Sequence, residues 1–214
     1  MTKGRLISFE GLDGAGKTTQ IDLLERWFTT HSLRYIRTRE PGGTPLGHEI
    51  RQLLFGRPDL TLTPLAETFL FQADRAQHFA TLILPTLADG THVITDRSFD
   101  SSIAYQGAAR GVGESLVEQL SLISTQGHAP DLTILLDLDA TKVSQRTNID
   151  HDRSGQREEQ SRFDKEAEPF HNRLRAAFLE LARAHPERIK VIDASQSVEQ
   201  IHQEIVALVS KLVL

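Results

Sequence analysis

Phe9-Glu10-Gly11-Leu12-Asp13-Gly14-Ala15-Gly16-Lys17-Thr18-Thr19-Gln20 contains the pattern G-x-x-x-x-G-K-T between Gly11 and Thr18. Gly11, Gly14 and Gly16 let the backbone bend tightly and turn its amide hydrogens inward around phosphate oxygens. Lys17 then reaches the outer phosphates as a point charge, and the Thr18 hydroxyl holds a magnesium ion that bridges them. The helix that follows adds its positive N-terminal end. The nucleotide-binding set read from this stretch is Gly11, Leu12, Asp13, Gly14, Ala15, Gly16, Lys17, Thr18 and Thr19. Its flanks favour this P-loop reading over a plain glycine-rich turn. Arg5 to Phe9 reads as a buried strand, and Thr19 to Thr30 carries Ile21, Leu24, Trp27 and Phe28 at helical spacing.

The chain of 214 residues has a formal net charge of −5 and no cysteine. That length suits one substantial core, so a single domain over residues 1–214 is expected. The acidic balance argues against a nucleic-acid partner, and any anion pocket has to be local. Without cysteine there are no disulfides, thiolate nucleophiles or thiolate ligands, which suits a reducing cytoplasm. Met1 to Gly4 leads directly into the first strand, leaving no room for a signal peptide, and no apolar run approaches membrane-spanning length. A cytoplasmic protein without a membrane partner is expected.

Beyond the first helix, Arg34 to Thr38 reads as a strand ending in the turn-rich Arg39-Glu40-Pro41-Gly42-Gly43-Thr44-Pro45. Loops at the carboxyl ends of strands wall the ligand sites of open α/β sheets. A short helix is expected from Leu46 to Leu54. A longer helical stretch runs from Leu60 to Leu87, with Thr63 as N-cap and Pro85 bending or ending it. Phe71 and Arg75 share a face of that stretch. By pattern alone they read as a core phenylalanine beside a solvent-facing arginine.

His92 to Asp96 and Leu132 to Asp137 are short strands that each end in aspartate. Either acid could hold magnesium through water. Asp96 is preferred because Arg97 next to it offers a second phosphate-binding group. Helices are expected from Glu114 to Ser124, from near Thr141, from Phe163 to Ala184 and from Val198 to Val213, with a last strand from Arg188 to Ile192. Residues 148–160 are polar without apolar periodicity, and read as a mobile lid over the site. Strands alternating with helices imply a three-layer α/β/α P-loop NTPase fold with a five-stranded parallel sheet and a mobile lid. The nine histidines show no compact metal-binding spacing.

Four segments together resemble the thymidylate kinase family in its bacterial form: Phe9 to Gln20, Thr38 to Arg51 (TREPGGTPLGHEIR), Phe69 to His78 (FLFQADRAQH) and Asp96 to Gly107 (DRSFDSSIAYQG). The resemblance covers nearly the whole chain. It implies phosphoryl transfer from ATP to dTMP with magnesium, and a homodimer. It also implies that Phe71 stacks on thymine, that Arg75, Ser102 and Gln106 contact the polar edge of the base, and that Tyr105 crowds the 2′ position of the sugar. Arg97 would hold the acceptor phosphate and Asp13 the 3′-hydroxyl, with Glu40 and Arg51 as further members of the pocket. Position 15 is alanine, so the family's catalytic arginine has to come from the lid, as Arg157 or alternatively Arg153. Arg146 resembles the residue that packs on adenine. Ser98 departs from the aromatic or histidine common after Asp-Arg. The catalytic set is thus Lys17, Arg97 and Arg157 or Arg153, with Thr18 and Asp96 toward the metal. Two other readings stand beside it: a kinase for another nucleoside monophosphate, and a nucleotide-hydrolysing switch protein.

Overall fold

The computed structural model describes residues 3–57, 59–139 and 168–214. Its strands are β1 (Leu6–Gly11), β2 (Tyr35–Arg39), β3 (His92–Asp96), β4 (Leu132–Asp137) and β5 (Ile189–Asp193), paired in the order β2-β3-β1-β4-β5 with every pairing parallel. All six residues of β1 are buried, as are the first five of β4. A strand buried on both faces needs helices on both sides of the sheet.

The helices are α1 (Lys17–Thr30), α2 (Pro45–Phe55), α3 (Pro64–His78), α4 (Leu84–Ala88), α5 (Phe99–Ser102), α6 (Glu114–Ser124), α7 (Glu168–Ala184) and α8 (Val198–Val213). Successive β1 side chains enter different clusters, as a strand's period of two requires. Ile7 and Phe9 join Ile94 and the apolar stripe of α1, Ile21, Leu24 and Phe28, in the larger one. Leu6 packs with Val93, Phe79, Ile83 and Leu87 in the smaller. Each such fully buried side chain stabilises the fold by roughly 1.5–3 kcal/mol. Trp27 of the same stripe is only partly buried against the larger cluster.

Local signals set several ends. The Thr63 hydroxyl accepts a hydrogen bond from the Ala66 amide, with Pro64 opening α3 as expected. Thr44 caps α2 in the same way, and Ser197 with Gln200 forms a capping box at the start of α8. Pro85 does not end its helix. A π-helical turn over Phe79–Ile83 precedes it, and the proline falls in the first turn of α4, where a missing amide hydrogen costs nothing. The helix therefore continues to Ala88. The segment from Phe99 to Ala109 is also helical, as α5 followed by a π-helical stretch over Ile103–Ala109.

Register decides what meets at the carboxyl edge of the sheet. Asp96 lies opposite Phe9 on one side and opposite Arg39 on the other. The loop after β1, the loop after β2 and the turn after β3 therefore open side by side.

Candidate active site

Gly11 ends β1 with φ at 134°, and a Cβ there would come within 2.4 Å of the Leu136 carbonyl oxygen. Only glycine lets β1 leave the sheet against β4. Leu12 and Ala15 are buried and anchor the loop, Asp13 and Gly14 are half-buried, and Gly16 leads directly into α1. The first residue of α1 is Lys17, and Thr18 and Thr19 follow as exposed side chains of its first turn. Lys17 Nζ donates to the Gly11 and Leu12 carbonyl oxygens at 3.3 and 3.1 Å. Burial, and then neighbouring Arg97, lower its pKa.

Arg97 is the first residue beyond β3, and its φ of 69° turns the chain sharply into α5. Its Nη2 donates to Asp13 Oδ1 at 2.6 Å and its Nη1 to Ser101 Oγ at 3.0 Å, while the guanidinium stacks 5.1 Å from the centre of the Tyr105 ring. This side chain joins the P-loop to the turn after β3.

Beside it lies a cleft of about 550 Å³, open mouth included. Asp13, Glu40, Arg51, Phe71, Arg75, Arg97, Ser102, Tyr105 and Gln106 all line it. Every acceptor-side residue expected from the family resemblance falls on this one cleft. Arg75 corrects the pattern-based reading, because its side chain is 1% exposed rather than solvent-facing. It donates from Nε to Glu40 Oε2 at 2.9 Å, from Nη1 to Gln72 Oε1 at 3.1 Å and from Nη2 to Ser102 Oγ at 3.0 Å. The partner that keeps it buried lies 35 residues earlier, so helical periodicity carried no sign of it.

Glu40 is held on both oxygens, by Arg75 and by His78 Nδ1 at 3.1 Å, and His78 Nε2 meets Thr38 Oγ1 at 2.7 Å. Burial works against its charge, but Arg75 and His78 prevail and hold its pKa below the usual carboxylate value. Glu40 thus orients Arg75. Gln106 Nε2 donates to Glu67 Oε1 at 2.9 Å, and Arg51 Nη1 donates to the Pro41 carbonyl oxygen at 3.2 Å with its guanidinium over Phe55.

The two strand-end acids differ. Asp137 is gripped on both oxygens by Arg175, at 2.6 and 2.8 Å. Asp96 Oδ1 is buried and has no hydrogen-bond partner among the described residues. Its carboxylate is close enough to Lys17 to act on that charge, and the exposed Thr18 hydroxyl comes next along α1. An orphaned oxygen in that position fits a magnesium ion held mostly by phosphates and water. Among the described residues there is no cluster of three or more His, Asp or Glu side chains that would hold a metal unaided. Arg146, Arg153 and Arg157, and the lid expected over 148–160, lie outside the described residues.

Sequence reading missed Glu10, Ser101 and Phe55. Glu10 is wholly buried beneath Arg97 and accepts hydrogen bonds from the Ser98 amide and the Ser101 hydroxyl. The available signal was a carboxylate inside an otherwise uncharged strand.

The family model described as thymidylate kinase matches residues 9–205. The chain is 43% identical over 210 residues to the thymidylate kinase of Marinomonas sp. (strain MWYL1), covering 98% of this chain and 96% of that one. It is 48% identical over 202 residues to the thymidylate kinase of Leifsonia xyli subsp. xyli (strain CTCB07), covering 94% and 92%. The crystal structure of thymidylate kinase from Ehrlichia chaffeensis superposes with a TM-score of 0.76 at 33% identity, over 97% of this chain and 99% of that one.

Proposed function

The chain belongs to the thymidylate kinase family, and from that premise we propose that it transfers the γ-phosphoryl group of ATP to dTMP, giving dTDP and ADP, with magnesium as the metal. The observation that carries the reading is the Arg97–Asp13 contact of 2.6 Å, which sets an arginine of the cleft directly against the P-loop. An acceptor phosphate held there would face the donor phosphates.

Phosphoryl transfer needs alignment and charge stabilisation more than covalent help. The P-loop amides and Lys17 hold the donor's phosphates. Phe71 stacks on the thymine ring, Arg75, Ser102 and Gln106 read its polar edge, and Tyr105 lies against the sugar where a 2′-hydroxyl would project. Arg51 adds positive charge at the mouth. Asp13 meets the 3′-hydroxyl, and Glu40 keeps Arg75 in place from behind. Bound magnesium would neutralise phosphate charge, with Thr18 and Asp96 as the protein groups nearest to it. An acceptor phosphate is already anionic near neutral pH, so no general base is required. Arg157, or Arg153, would supply the remaining positive charge from the lid over 148–160, and Arg146 would pack on adenine.

Coupled ADP release tests the reading, with dTMP, dUMP, dCMP, UMP and AMP offered in parallel to the wild type and Arg97→Ala. The expected result is rapid turnover on dTMP that collapses in the variant. Turnover on another acceptor alone would move the substrate, and ADP release without acceptor would favour a hydrolysing switch.

The molecule acts as a single kinase domain and as a homodimer. What supports the dimer is the pair of packed helices α3 and α6, which expose Leu65, Phe69, Leu116, Leu122 and Ile123, with Phe69 at 53% and Ile123 at 74% exposure. A monomeric mass in solution would overturn it. No helix among the described residues is long and apolar enough to cross a membrane, and with the absence of cysteine this supports a cytoplasmic location.

A further inference from the structure

Glu10 is the one charged residue within β1, and its side chain is 0% exposed. It touches neither the cleft nor the exposed face of the P-loop, and none of the roles above uses it. Its oxygens are nonetheless fully committed. Oε1 accepts from the Ser98 amide at 2.8 Å and Oε2 from Ser101 Oγ at 2.5 Å, and Arg97 Nη1 lies 3.9 Å from Oε2. Ser101 Oγ in turn accepts from Arg97 Nη1 at 3.0 Å.

What these bonds hold is an unfavourable conformation. Arg97 is a bulky side chain in the left-handed region, with φ at 69°, and such residues persist only where the surroundings over-determine them. The corner has a backbone tie on one side, from the Arg97 amide to the Phe9 carbonyl oxygen at 2.9 Å. On the other side Thr95 Oγ1 donates to the Arg97 carbonyl oxygen at 2.8 Å, and Glu10 ties down the residues that follow, Ser98 and Ser101. Because Glu10 directly precedes Gly11, the same residue that leads into the donor loop also clamps the turn bearing the acceptor arginine.

Resting on the reading of Arg97 as the acceptor-phosphate group, we propose that Glu10 is a positioning residue: it locks the Arg97–Ser101 turn to the root of the P-loop and so sets the direction of the Arg97 guanidinium toward the acceptor. It does so without touching either substrate. Loss of the clamp should therefore weaken acceptor binding and leave donor binding in place. Burial, and then the nearby Asp100, push the Glu10 carboxyl up to about 8, so near neutral pH it is held mainly as the neutral acid. In the neutral acid Oε1 still accepts from the Ser98 amide while the contact to Ser101 reverses, the protonated Oε2 donating to Ser101 Oγ, and glutamine copies that form in shape and in hydrogen bonding; alanine deletes it, and aspartate is too short to reach both partners.

The test is calorimetric titration of each folded variant with dTMP alone and with magnesium-ADP alone, together with steady-state kinetics. Removal of buried hydrogen-bond partners predicts a rise of about tenfold or more in the dTMP dissociation constant and KM for Glu10→Ala and Glu10→Asp. The magnesium-ADP constant should stay within about twofold, and Glu10→Gln should recover dTMP affinity to within about threefold of wild type. If Glu10→Ala does not fold, the comparison of Glu10→Asp with Glu10→Gln carries the same contrast. Unchanged dTMP affinity in the alanine or aspartate variant would overturn the proposal, as would equal weakening of both ligands or a glutamine variant as weak as the aspartate one. Arg97→Met run in parallel separates the two layers. If that variant binds dTMP as tightly as wild type, the reading of the cleft fails and the inference falls with it; if it alone weakens dTMP, only the role of Glu10 fails.

Discussion

Arg97 Nη2 lies 2.6 Å from Asp13 Oδ1, which pairs the arginine at the end of β3 with a carboxylate inside the P-loop 84 residues earlier. Asp13 is also 3.7 Å from Lys17 Nζ. It therefore lies between two cations that would otherwise repel each other.

Asp13→Ala is expected to lower kcat/KM for dTMP by roughly 10- to 100-fold, through loss of a charge-assisted contact and of the 3′-hydroxyl partner. The same variant should narrow the preference for dTMP over its 3′-deoxy analogue. Parallel kinetics with the two acceptors check this, and an unchanged preference would remove Asp13 from the sugar site.

The Arg75–Glu40 pair is buried to 1% exposure on both sides, so removing Glu40 leaves Arg75 without its counter-charge and removing Arg75 leaves Glu40 with His78 alone. Glu40→Ala is expected to destabilise the fold by about 3–5 kcal/mol, and Arg75→Ala by a similar amount. The double variant should cost much less than the sum. Urea denaturation of the three variants measures the coupling, and strict additivity would show that the pair does not act as a unit.

Asp96 and Asp137 are expected to separate by phenotype. Asp96→Asn should raise the magnesium concentration needed for half-maximal activity several-fold at little cost in stability, since Oδ1 has no hydrogen-bond partner among the described residues to lose. Asp137→Asn should leave the magnesium requirement unchanged and lower the melting temperature, since it loosens Arg175. Magnesium titration and thermal melts of both variants decide the matter, and the reverse pattern would exchange the two roles.

Asp74 supplies a pH test. Burial, followed by the neighbouring Glu40, raises its carboxyl from 3.8 to about 6, and Oδ2 is buried with no hydrogen-bond partner among the described residues. The native state therefore keeps this proton longer than the unfolded chain does. Stability contributed by the group is fully present below the unfolded value and falls as pH rises toward about 6. Relative to wild type, Asp74→Asn should gain about 2–3 kcal/mol on going from about pH 4 to about pH 7. Denaturant midpoints at the two pH values check it. A difference independent of pH would mean that the Asp74 carboxyl is not raised.

What could be read along the chain was whatever chain-local physics dictates. The glycine spacing from Gly11 to Gly16, the apolar runs of β1, β3 and β4, the Thr63 cap and the 3.6-residue stripes of α1 and α8 depend on neighbours a few positions away, and they were legible on their own terms. The acceptor residues came from resemblance rather than pattern, because a cleft assembled from Glu40, Phe71, Arg75 and Gln106 has no single period.

Tertiary structure decided the rest. Burial of Arg75 depends on Glu40, the difference in pairing between Asp137 and Asp96 depends on Arg175, and the role inferred for Glu10 depends on a turn that begins at Arg97. Each is a matter of which charge finds which partner across strands and helices far apart in sequence. Electrostatic pairing acts through space, and its consequences are fixed only once the parallel sheet brings the carboxyl ends of β1, β2 and β3 together.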